Sequence, residues 1–167
     1  MSGQLGVIKN GFNQIGVIVP DLGEWIEKHK KQFGIDRWRV YTYDSNVVKE
    51  MHYHGRISPY AMKIALSDDV DRLQVELIQA LEGPSIYHDF VATKGYGFHH
   101  FGVHCEDVES TKREFEAAGF STLQEGKNFS PSGDGHYAYI DTEAVLGYII
   151  ELRQPMSDRW PPEKIFE

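Results

Sequence analysis

One cysteine, Cys105, in 167 residues excludes an internal disulfide, and its place in an apolar stretch reads as a small buried hydrophobe. A reducing compartment follows as the default. Positive charge is also scarce: 17 Lys and Arg against 25 Asp and Glu leave a formal charge of −8, which argues against a nucleic acid or an anionic membrane as partner. Small molecules are the expected ligands. No apolar run approaches the length of a bilayer span, and the first ten residues lack a basic start followed by a long apolar stretch. The expectation is a soluble, cytoplasmic protein with no membrane contact. Nothing is low-complexity, and 41% hydrophobic with 13% aromatic residues suffices for one substantial core, so residues 1–167 read as a single domain.

What the chain does have is an internal repeat. Asn13-Gln-Ile-Gly-Val-Ile-Val-Pro-Asp-Leu22 and His99-His-Phe-Gly-Val-His-Cys-Glu-Asp-Val108 are versions of each other, each followed by an amphipathic stretch ending at a glycine, Gly34 or Gly119. Asp21 and Asp107 are the expected helix caps, with Glu24 completing a capping-box spacing after Asp21. Strands are expected at about 12–19, 36–43, 60–66 and 72–79, then at about 98–105, 120–125, 136–141 and 146–152. The fold class is therefore α+β: two β-α-β-β-β modules, about 11–80 and 98–154, forming a curved, cup-shaped mixed sheet. A linker helix is expected at about 84–95. The tail 155–167, with Pro161 and Pro162, should cross the surface. The first module is about a dozen residues longer than the second, and the excess falls in the polar connection 44–59.

Each module also carries a carboxylate inside an apolar strand, Leu73-Gln-Val-Glu76-Leu-Ile and Tyr148-Ile-Ile-Glu151-Leu. The repeat thus sets Gln14, Glu76, His100 and Glu151 at paired positions. If the half-sheets curve into one cup, these four groups converge on its concave side. Two buried carboxylates facing each other would repel, and a divalent cation relieves both the repulsion and the desolvation. One imidazole, two carboxylates and an amide oxygen suit Zn²⁺, Mn²⁺, Fe²⁺, Co²⁺ or Ni²⁺. Strand parity gives Phe98 the face of His100, and Tyr137, Tyr139 and Asp141 a common face near Glu151; Phe98, Tyr137 and Tyr139 are the candidate substrate contacts. His99 has the opposite parity and reads as outward or interfacial. His104 lies about 13 Å along the strand from His100 and reads as core or support. His52 and His54 read as exposed, with a lid over the pocket as the functional alternative.

Over roughly residues 11–154 the chain resembles the vicinal-oxygen-chelate superfamily, which includes glyoxalase I, methylmalonyl-CoA epimerase, extradiol dioxygenases and bleomycin-resistance proteins. The resemblance rests on Gln14-Ile-Gly-Val-Ile-Val-Pro-Asp-Leu, Gln74-Val-Glu76-Leu-Ile-Gln, His99-His100-Phe-Gly-Val, Ala138-Tyr-Ile-Asp-Thr and Gly147-Tyr-Ile-Ile-Glu151-Leu, with the overall texture of the glyoxalase and epimerase branch. It implies metal ligation by Gln14, Glu76, His100 and Glu151. The epimerase usually has His at the first position and Gln at the second, so the set here is more similar to zinc-type glyoxalase I. It further implies a divalent metal, Zn before Ni, Co, Mn or Fe, and a homodimer. The implied function is an isomerase, epimerase or lyase of a small carbonyl compound (α-keto, hemithioacetal or acyl-CoA) working through a metal-stabilised enediolate, with Glu151 as base and Glu76 as its counterpart. A non-catalytic binding protein of the bleomycin-resistance kind and an extradiol-type iron dioxygenase are the alternatives.

Overall fold

Local chemistry sets most of the elements. In the computed structural model, which describes residues 5–68, 71 and 73–167, the first repeat runs as β1 (Gln14–Ile18) and α1 (Leu22–Phe33). Asp21 Oδ1 accepts from Glu24 N at 2.7 Å to start α1, and Gly34 ends it in the left-handed region at φ 67°. Strands β2 (Trp38–Tyr43), β3 (Glu50–Tyr53), β4 (Arg56–Ile57), β5 (Ala61–Ser67) and β6 (Gln74–Glu82) follow, then α2 (Ile86–Lys94). The expected start of β6 at 72 lies outside the described residues. The second repeat supplies β7 (Gly97–His104), α3 (Val108–Ala117), β8 (Thr122–Lys127), β9 (His136–Ile140), the short α4 (Glu143–Leu146), β10 (Ile149–Gln154) and finally β11 (Lys164–Phe166). Asp107 Oδ1 caps α3 by accepting from Ser110 N at 3.1 Å.

All the strands belong to one strongly curled mixed sheet in the order β11-β2-β5-β6-β1-β7-β10-β9-β8-β3-β4. Its centre is the seam between repeats, where β1 runs antiparallel to β7; β6 lies parallel on the far side of β1, and β10 parallel on the far side of β7. α1 packs Leu22 and Ile26 on Trp38, Val40, Ala65 and Leu77 of the outer face. Likewise α3 packs Val108 and Phe115 on Val103, Ala138, Ile140 and Ile150. On the concave face α2 packs Ile86 and Tyr87 into the cluster of Tyr60, Tyr137, Tyr139 and Ile149, beside an open cavity.

Two segments go beyond the expected pattern. The extra residues of the first module form the β3–β4 hairpin, and β3 pairs with β8 of the second module (Met51 with Gly126, His52 with Glu125). The tail returns to the sheet, β11 pairing with β2 at the opposite edge as a three-residue strand beyond the two prolines. Among the described residues no helix is long and apolar enough to cross a membrane.

Beneath α3, Glu125 is enclosed with Lys112 Nζ at 3.0 Å and His136 Nε2 at 3.1 Å. Burial by itself would raise this carboxyl, but the hydrogen bonds from His136 and Lys112 and the charge of Lys127 outweigh it and hold it at about 2. Because the folded value lies below the unfolded one, the stabilisation is present above pH 4.5 and is lost as pH falls toward 2. Glu125→Gln should therefore lower the melting temperature at neutral pH by roughly 2–8 °C, corresponding to about 1–2 kcal/mol. Melting curves of both proteins across that acid range should show the gap closing; a gap independent of pH would contradict the argument.

Candidate metal centre

The register at the seam brings the paired positions together. In one row across the sheet Glu76, Gly16 and His100 lie side by side; in the next row stand Gln14, Gly102 and Glu151. The rows are copies related by the repeat: carboxylate, glycine, then amide or imidazole. Each amide or imidazole thereby lies over the other repeat's glycine. A Cβ on Gly16 would overlap the His100 ring, and one on Gly102 would stand 3.0 Å from Gln14 Cβ and 3.2 Å from Gln14 Oε1. The two glycines are the space that the side chains occupy.

The four groups are deeply buried: His100 is 0% exposed, Gln14 1%, Glu151 5% and Glu76 7%. His100 Nε2 is 3.3 Å from Glu151 Oε2 and 3.5 Å from Glu76 Oε2, yet it makes no hydrogen bond. Those separations suit shared ligation, because two ligands each about 2.0–2.1 Å from a tetrahedral ion stand roughly 3.4 Å apart. One donor atom from each of Glu76, His100 and Glu151 falls within 4.8 Å of the others. Gln14 faces Glu151 Oε2 with its amide oxygen at 3.0 Å, while its nitrogen donates to Gln74 Oε1 at 3.2 Å. Two acceptors that close repel; either the amide turns over and donates to Glu151, or a cation sits between the oxygens. The donor set and its unused imidazole nitrogen fit a divalent ion.

Electrostatics agree with this reading. Burial alone would depress the His100 imidazole, but Glu151 and Glu76 raise it to about 9, so without another cation His100 supplies the positive charge between the carboxylates. Burial pushes Glu151 up, and His100, Arg153 and Tyr139 more than offset this, holding it below its ordinary range. A second gathering of Glu109, Glu125 and His136 differs in kind, because Lys112 and Lys127 already lie among these groups at 3.0–4.0 Å. Its negative charge has counterions.

The flank of the site is tyrosine-rich. Tyr137 and Tyr139 line a cavity of about 480 Å³ together with Glu76 and Glu151. Tyr139 packs its ring 5.0 Å from His100 and takes a hydrogen bond from Tyr87 at 3.0 Å, while Tyr137 shares one with Tyr60 at 2.7 Å. Phe98 departs from the expected face. A bulge skips His99, with Gly16 opposite His100 but Val17 opposite Phe98, which sends Phe98 to the outer side against Phe101, outside the cavity lining. The same bulge turns His99 inward, where it is buried against Tyr87, Phe90 and Tyr139 rather than facing outward. Burial, with the neighbouring His100 and Lys94, holds the His99 imidazole well below its ordinary range. Its Nδ1, 3.0 Å from His100 Nδ1, is thus placed to accept the His100 proton and leave His100 Nε2 directed at the carboxylates.

His104 lines the cavity at an exposed position, and Asp141 is exposed beyond the end of β9, outside the lining. His52 and His54 belong to the β3–β4 hairpin, near Glu125 and Asp89, and form no part of the cavity lining. Sequence reasoning did not single out Arg153, whose Nε is 3.6 Å from Glu151, nor Tyr43 and Arg159 of the cavity wall. Arg153 had a readable signal, since it is two residues beyond Glu151 on the same strand face.

The family model of the Glyoxalase/Bleomycin resistance protein/Dioxygenase superfamily matches residues 13–139. The chain belongs to this superfamily. Solved structures of similar fold include methylmalonyl-CoA epimerase from Mycobacterium tuberculosis, with 19% identity, a TM-score of 0.61, and 87% of this chain and 88% of the other covered. A Streptomyces coelicolor methylmalonyl-CoA epimerase variant in complex with 2-nitronate-propionyl-CoA has 15% identity and a TM-score of 0.62, with 91% and 99% covered. A hypothetical protein of Bacillus halodurans has 16% identity and a TM-score of 0.57, with 90% and 97% covered. At these identities the likeness is one of fold. No curated protein matches the chain.

Gly16→Ala tests the packing that holds this superfamily member's imidazole. The added methyl should displace His100, destabilise the fold by about 1–3 kcal/mol and lower the metal content of protein purified with zinc. Unchanged metal content and melting temperature would show that the ring does not depend on the glycine.

Proposed function

We propose that the protein is a divalent-metal-dependent isomerase, epimerase or lyase acting on a small carbonyl compound of the α-keto, hemithioacetal or acyl-CoA kind. The observation that carries this reading is the convergence of Glu76 and Glu151, with Gln14 beside Glu151, on a buried His100 nitrogen that has no hydrogen-bond partner. A divalent ion held there, zinc before nickel, cobalt, manganese or iron, would supply Lewis acidity for a carbonyl substrate. The residues do the rest. His100, Gln14 and the two carboxylates hold the ion, and Glu151 takes the proton from the carbon beside the carbonyl. Arg153 and Tyr139, which lower the basicity of Glu151 in the free site, set its strength. Glu76 stands across His100 from Glu151, placed to exchange a proton on the opposite face. Tyr137 and Tyr139 are the proposed substrate contacts. The acyl-CoA option draws support from the epimerase neighbour bound to an acyl-CoA nitronate. A cytoplasmic location belongs to the same reading.

His100→Ala should abolish stoichiometric metal binding, whereas Glu151→Gln keeps an oxygen for the metal and should retain most of it. Turnover of the Gln variant should fall by roughly 10²–10⁴. The assay is exchange of the substrate α-proton with deuterated water, after screening keto acids, hemithioacetals and acyl-CoA esters. Undiminished exchange in the metal-loaded Gln variant would remove Glu151 from the role.

We also propose a homodimer. Both sheet edges are short strands, so the support lies on the outer face at the seam, where Phe98, Phe101, Phe12 and Tyr148 form a partly buried aromatic ladder with ring centroids 4.6–5.9 Å apart. Light scattering at micromolar concentration should give twice the chain mass of 19.1 kDa; a monomer mass would overturn the assignment.

A further inference from the structure

The segment between β10 and β11 crosses from one half of the sheet to the other and forms a wall of the cavity. It is fastened along its length. Asp134 Oδ2 accepts from Ser157 N at 2.9 Å, Asp158 Oδ1 accepts from Ser132 N at 3.0 Å, and Trp160 Nε1 donates to the Phe129 carbonyl at 3.1 Å. Arg159 stands on this wall and lines the cavity. Its Nη1 donates to Tyr43 Oη at 3.2 Å, and its guanidinium carbon lies 5.2 Å from the centroid of the Tyr41 ring. The head is thereby fixed in place with most of its donors unused.

Among the described residues Arg159 has no carboxylate within ion-pair distance, although Arg39, Arg113 and Arg153 each face one. Asp158 beside it is engaged with Ser132. In a chain of net charge −8, a half-buried, stacked and unpaired guanidinium facing a cavity needs an anion from elsewhere. Ile64 and Leu66 also line this space, so an apolar spacer suits the region between the wall and the carboxylate floor. No lysine lines the cavity, which favours a planar carboxylate held bidentately over a more highly charged phosphate.

We propose that Arg159 is a specificity-determining residue that binds a terminal carboxylate, and that the substrate is a small acid whose carbonyl end lies at Glu76, His100 and Glu151 while its distal carboxylate meets Arg159. This rests on the metal-dependent carbonyl chemistry proposed above. It adds a second charge at the far end of the substrate.

The test compares matched acids that differ only at the far end: 2-oxoglutarate against 2-oxovalerate, and 2-oxoadipate against 2-oxohexanoate. Affinities are read by calorimetry on the full chain, with its metal content measured first and with titrations run both with and without zinc. In at least one pair the dicarboxylate should bind about 10- to 100-fold tighter. Arg159→Gln should bring that ratio to about one, and Arg159→Lys should restore part of it, with melting temperatures close to that of the parent. A parent ratio near one, or a ratio that survives in the Gln variant, overturns the role of Arg159 and leaves the metal reading intact. No binding of any of the four acids to protein carrying one metal per chain overturns the small-acid substrate as well. Absence of metal uptake is a separate result that overturns the metal reading alone, because the ratio is also read without zinc.

Discussion

Everything at the centre of this molecule depends on the antiparallel seam between β1 and β7. It puts Gln14 over Gly102 and His100 over Gly16, and the parallel strands on either side bring in Glu76 and Glu151. A shift of one residue in this pairing would turn the ligand side chains toward the outer face and break both glycine contacts. The burial of two carboxylates is tolerable only in the register that also delivers the imidazole. Packing, polarity and register therefore specify one another.

The surroundings divide into groups that fix the site and groups that shape what enters. His99 and Tyr139 hold the imidazole from behind and from the side. On the cavity side the tyrosines, Ile64 and Leu66 give apolar wall, and Arg153 and Arg159 stand among the polar groups that share the lining. The inserted hairpin adds nothing to this lining. Its contribution is structural, since β3 extends the second module's half of the sheet through β8.

Much of the centre was legible because its signals are local or repeated. The Asp21 and Asp107 caps, the glycine ends and the spacing of the two repeats all act within a few residues, and the repeat relation carried Gln14 to His100 and Glu76 to Glu151. The parts that were not legible are non-local. Nothing in residues 50–57 announces a pairing with β8, because that strand's partner lies in the other module. The bulge at His99 broke the strict alternation from which the positions of Phe98 and His99 were read, and no local residue pattern marks it. Arg159 gains its setting only because β11 returns to β2.

The order of strands also bears on how the chain reaches this state. β1 has no sequence-adjacent partner in the sheet; both its neighbours, β6 and β7, lie far along the chain, whereas β5–β6 and β8–β9 are joined by comparatively short connections. Loop-closure entropy thus weighs more heavily on the strand that carries Gln14 and Gly16 than on the hairpins on either side. The metal ligands come into contact only when that central strand is inserted. Assembly of the site therefore waits on long-range pairing and not on the local hairpins.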